Sequence, residues 1–145
     1  MKVKDCMTRQ VVVAEPQTPI RDAAQMMQDV DAGILPVARD GHLFGVVTDR
    51  DIVVRGIARG LGPDAMVEQV MTHECECAAE DDDLDDIAGR MAELQVRRMP
   101  VTRDGGALIG VISLADIVRS KPNEGPKQAG EALRGIAQPG QQHNP

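Results

Sequence analysis

Residues 35–52 read LPVARDGHLFGVVTDRDI, and residues 99–117 read MPVTRDGGALIGVISLADI. Pro-Val, Arg-Asp-Gly, Gly-Val and Asp-Ile recur in the same order, with one residue inserted in the second stretch. The match continues outward from there. A shift of 64 residues carries Met7-Thr8 onto Met71-Thr72, Asp22 onto Asp86, Ala24 onto Ala88 and Met27 onto Met91. Self-similarity at a fixed spacing means one supersecondary unit used twice.

Both copies imply the same elements. VVVAEPQTP opens the first with a short β-branched run, after which Thr18 is the expected N-cap and Pro19 the first helical residue. Ile20, Ala23, Ala24 and Met27 then follow at helical spacing, as do Leu84, Ile87, Ala88 and Met91 in the second copy. There Asp82 takes the N-cap place, and the acidic residues after it fill a first turn that the helix dipole favours. Two strand-like runs flank Asp40-Gly41 and Asp104-Gly105-Gly106, a hairpin pattern. A second helix is expected after Thr48 and after Ser113. The predicted fold is α+β, with β-α-β-β-α twice: a first unit at 1–56, a linker at 57–66 and a second unit at 67–120. Residues 121–145, rich in Pro, Gly, Gln and Asn, are expected to be a disordered tail.

Composition narrows the function. Among 145 residues Phe44 is the only aromatic, so the core must be aliphatic. Sixteen basic against twenty-three acidic residues give a net charge of −7, which argues against nucleic acid and anionic membranes as partners. No apolar run approaches the roughly 20 residues of a membrane span, and MKVKDCMTRQ has no signal-peptide core. A cytoplasmic protein is expected, with Cys6, Cys75 and Cys77 reduced.

The stretch GVVTDRDIVVRG, Gly45 to Gly56, admits two readings. Thr48 and Asp51 fit the box by which two side chains close the first turn of a helix. A strand running into a helix N-terminus also offers free N–H groups to a phosphate. Ser113 and Asp116 repeat the spacing, but Asp49-Arg50 is replaced by Leu114-Ala115. Arg50 either meets phosphate or pairs with Asp49 or Asp51. Arg97 and Arg98 precede a hairpin strand, where Arg98 takes the face opposite Met99 and either holds phosphate or stays solvated. His73, Cys75 and Cys77 alternate as if on one strand face, which suits zinc. Their alignment with Val11 and Val13 instead favours Cys75 and Cys77 as small core residues, and Cys6, aligned with Val70, reads the same way. No arrangement of nucleophile and base suggests catalysis.

A tandem unit with MT before its first strand, LPV or MPV opening a hairpin and G-h-h-[T/S]-x-x-D (h, apolar) entering the last helix resembles a pair of cystathionine β-synthase (CBS) domains, also called a Bateman module. The likeness covers residues 1 to about 120 and is similar to stand-alone bacterial CBS proteins, including the hypoxic-response type. The resemblance implies two units about a pseudo-twofold axis, with clefts that take AMP, ADP, ATP or a related adenosyl ligand, and assembly as a homodimer. A regulated partner protein is a further expectation, and the core reading of the cysteines leaves no metal required. In CBS domains the Asp of the motif accepts from ribose hydroxyls and the Thr or Ser lies near phosphate. The first site would then use Thr48 and Asp51 and the second Ser113 and Asp116, with Arg50 and Arg98 as the candidate phosphate contacts beside them. The alternatives are an assembly protein without ligand and a metal or redox sensor.

Overall fold

Apolar residues spaced for one helix face do form one. Helix α1 (Ile20–Val30) buries Ile20, Ala23 and Met27, and helix α2 (Leu84–Leu94) buries Leu84, Ile87, Ala88 and Met91. Each ends at a left-handed residue, Asp31 at φ 53° and Gln95 at φ 58°, a conformation that stops a helix. The computed structural model describes residues 1–120 and Gly130; the tail expected at 121–145 lies otherwise outside the described residues.

Both hairpins are present. β1 (Ile34–Arg39) pairs antiparallel with β2 (His42–Thr48), and β4 (Arg98–Arg103) with β5 (Ala107–Ser113). Asp40 and Gly41 turn the first at φ 52° and 78°, the paired positive values a tight hairpin needs. A further strand, β3 (Ala78–Ala79), runs parallel to β4. The last helix of the second copy is α3 (Leu114–Ser120).

Three expectations need correction. The opening strands barely form: Ala14 makes an isolated parallel bridge to Val37, and its counterpart is the two-residue β3. Pro16, which has no N–H, follows too soon for the first run to extend. Thr18 is not an N-cap. Its Oγ1 accepts from the Glu15 N–H at 2.9 Å, while the first N–H groups of α1, from Ile20 and Arg21, reach Ala65 O and Pro63 O. Asp82 likewise accepts from Ala79, and Asp83 caps α2 by accepting from the Asp85 N–H at 2.9 Å. Finally, the helix after Thr48 is a π-helix over Asp51–Gly56, continued by a 3-10 turn at Ile57–Arg59. Such wide turns gather at functional positions.

The compact bodies are offset from the repeats. Val12–Cys75 forms one, here the mid-chain unit; Met1–Val11 joins the described residues from Glu76 onward in the other, the split unit. Val67, Val70 and Met71 enter the core of the mid-chain unit with Leu35, Val47 and Ile52. In the split unit Val3 and Met7 pack among Met99, Val101, Ile112 and Ile117. The MT pairs explain the motif glycines. Thr72 exchanges backbone hydrogen bonds with Val46 and Thr8 with Val111, at 2.9–3.0 Å. A Cβ on Gly45 would stand 2.0 Å from Thr72 O, and one on Gly110 2.6 Å from Thr8 O.

Candidate functional site

Thr48 ends β2, and Asp51 begins the π-helix. The Thr48 N–H donates to Asp51 Oδ2 at 3.0 Å, and the Asp51 N–H donates to Thr48 Oγ1 at 3.0 Å. Ser113 and Asp116 repeat the exchange at 2.9 and 3.1 Å. The helix-closing reading of T/S-x-x-D therefore holds in both units. It uses one carboxylate oxygen of each aspartate.

The other oxygen distinguishes them. Asp51 is 0% exposed, and its Oδ1 is buried with no hydrogen-bond partner. Arg55 Nε stands 3.7 Å from that atom, too far to donate, and Arg55 Nη1 instead points to Met71 O at 3.4 Å. Asp116 Oδ1 accepts from Arg119 Nη2 at 2.5 Å. A buried carboxylate oxygen without a donor is costly, so Asp51 Oδ1 is an unmet demand for an N–H or O–H group.

The mid-chain unit gathers Thr48, Arg50 and Asp51. Arg50 is exposed, and the cation beside Asp51 is Arg55 rather than Arg50. Asp49 donates its N–H to Gly33 O at 2.9 Å, and a Cβ on Gly33 would stand 2.9 Å from Asp49 Oδ2. In the split unit the Leu114 N–H meets Arg97 O at 2.8 Å, and Arg98 faces Ser113 across the β4–β5 ladder. Arg98 thus accompanies Ser113 and Asp116. It is exposed and Met99 is buried, but Arg97 is exposed too and Met99, Pro100 and Val101 are buried in succession, so burial along β4 does not alternate. Sequence reasoning missed Arg55 and Arg119, although their spacings of i+4 and i+3 from the aspartates signalled a pair.

The zinc arrangement does not form. Residues 73–77 are not a strand, and among the described residues no group of three His, Cys, Asp or Glu stands close enough to hold a metal ion. Cys6 packs against the core of the split unit, as expected. Cys75 and Cys77 are half-buried and belong to neither core cluster, which corrects their reading as core residues. Among the described residues no helix is long and apolar enough to cross a membrane.

Paired hairpins, each followed by a helix that a T/S-x-x-D box closes, define a tandem CBS fold. The CBS domain model matches residues 3–56 and 67–123, and the chain belongs to that family. It is 38% identical over 136 residues to the CBS domain-containing protein YhcV of Bacillus subtilis (strain 168), covering 93% of this chain and 94% of that protein. The crystal structure of Hypoxic Response Protein I with two coordinated zinc ions matches at a TM-score of 0.75 and 33% identity, over 82% of this chain and 98% of that one. CBSX2 in complex with AMP matches at 0.75 and 28%, over 83% and 96%. The CBS pair of MJ0100 in complex with 5′-methylthioadenosine and S-adenosyl-L-methionine matches at 0.73 and 26%, over 86% and 98%.

Proposed function

We propose that this protein is a non-catalytic regulatory module that binds an adenosine nucleotide, with AMP, ADP, ATP or a related adenosyl compound as its ligand. The observation that carries the reading is Asp51 Oδ1, buried and without a donor. A ribose diol supplies two O–H donors, and a carboxylate oxygen whose neighbour is held in the helix-closing box is positioned to take one. Two structurally similar CBS proteins hold adenosine compounds, which supports the same ligand class here.

In this reading Thr48, Arg50 and Asp51 serve one site, and Arg98, Ser113 and Asp116 a second. Because Asp51 is covered, ligand entry requires a neighbour to move. Arg55, one-third exposed, with its Nε 3.7 Å from Asp51 Oδ1 and its Nη1 on one long hydrogen bond to Met71 O, is the side chain that would move. The protein acts as a cytoplasmic homodimer, and its occupancy is read by a partner protein.

Calorimetric titration with AMP, ADP and ATP tests the proposal. Asp51→Asn replaces an acceptor by a donor and should weaken binding by about 1.5–3 kcal/mol, the worth of hydrogen bonds to a charged group. Affinity unchanged in both Asp51→Asn and Asp116→Asn would return the two boxes to a purely structural role.

A further inference from the structure

The two aspartates share a fold position and a helix-closing role, yet their second oxygens are treated differently. Asp51 Oδ1 has no donor, whereas Asp116 Oδ1 is occupied by Arg119 at 2.5 Å. Arg119 lies over Asp116 at i+3 of α3. The position three residues beyond Asp51 holds Val54, and Arg55, at i+4 in the π-helix, keeps its Nε 3.7 Å from Asp51 Oδ1 while its Nη1 donates to Met71 O.

We propose that Arg119 is an internal competitor for ligand at Asp116, so that the two sites load unequally and the Asp51 site fills first. The proposal rests on the nucleotide reading above and adds what regulates it. A ribose hydroxyl approaching Asp116 must displace a charge-assisted hydrogen bond that is already formed. One approaching Asp51 breaks no hydrogen bond to Oδ1 and has to move only Arg55, whose Nε stands 3.7 Å away, beyond hydrogen-bond distance. The displaced guanidinium is not buried: Arg119 is 71% exposed and returns to water without loss of solvation. That limits the competition to a modest factor, because exposed ion pairs are weak. Arg119 is therefore a positioning residue that sets the order of occupancy rather than abolishing the second site.

AMP titration of the full chain in an Asp51→Asn background reports the Asp116 site. Adding Arg119→Gln should tighten AMP binding about fivefold, the scale of a partly exposed ion pair. Arg119→Lys, which keeps the charge, should stay within about twofold of its parent, an outcome that a merely structural role for the side chain does not require. Unchanged or weaker binding in Arg119→Gln would overturn the competition while leaving the nucleotide reading intact, and weaker binding would make Arg119 a ligand contact. No heat with AMP in the wild type or any variant would overturn both.

Discussion

At the scale of single residues, the glycines of the repeat show how a motif acquires a cause. Gly110 recurs in the pattern for a reason 102 positions away in sequence: the carbonyl of Thr8 passes 2.6 Å from where its Cβ would be. Backbone cannot rotate aside as a side chain can. Gly110→Ala should therefore cost about 1–3 kcal/mol in urea unfolding, the range for forced overpacking. Gly41→Ala is the control, since nothing lies within 4 Å and only its φ of 78° resists, at about 1 kcal/mol. Equal losses in the two variants would mean that the Thr8 segment does not dock as described. The same division of legibility applies at the candidate site. The spacing of Thr48 and Asp51 specified their mutual hydrogen bonds, because a helix's first turn has one geometry. It could not specify the fate of Asp51 Oδ1, which depends on whether an arginine one turn on reaches it.

Among the elements, α1, α2 and both hairpins were legible because apolar spacing and Asp-Gly turns are local signals. The short opening strands were not. Val11–Val13 resemble a strand by composition, but pairing is decided by a partner in space, and only Ala14 finds one. Nor was the docking of the N-terminal segment, which is held by the split unit through remote contacts. Val3 and Lys4 donate their N–H groups to Asp82 O and Glu80 O, both at 2.9 Å, and Lys4 Nζ lies 3.0 Å from Asp81 Oδ1. The Lys4 hydrogen bond holds the Asp81 carboxyl below its ordinary range, and the Arg103 hydrogen bond does the same for Glu80. Depressed carboxyls stabilise the fold above their unfolded pKa, and that contribution is lost as pH falls through the folded value. Lys4 and Arg103 are raised, so their contribution is lost only in strong alkali. Hydrogen exchange at the Val3 and Lys4 amides should accelerate, relative to the intrinsic rate, as pH drops below the carboxylate range. Protection that stays constant down to that pH would show the ion pairs irrelevant to docking.

For the molecule as a whole, the repeat was plain in the sequence while the bodies it builds were not: Met1–Val11 leaves its own repeat for the split unit, and the residues up to Cys75 stay with the mid-chain unit. One surface remains to be explained. Val53, Val54 and Ile57 project from the helical stretch after Asp51, with Ile57 66% exposed. The three fall within five consecutive residues of the π-helix and the 3-10 turn that follows it, and all are exposed. Three aliphatic side chains together in water are an unfavourable surface for a monomer, and a second copy offering the same patch covers both at once, as twofold symmetry requires. The patch begins two residues beyond Asp51, so a dimer contact and the candidate ligand site would lie on one short element. Light scattering should give the mass of a dimer for the wild type. Ile57→Glu should shift that mass toward the monomer at low concentration, because a carboxylate would be desolvated against its own symmetry mate. The melting temperature of the Ile57→Glu monomer should depend little on protein concentration, whereas that of the wild type should rise with it. A wild type that stays monomeric across a wide concentration range would show that a second copy does not cover the patch.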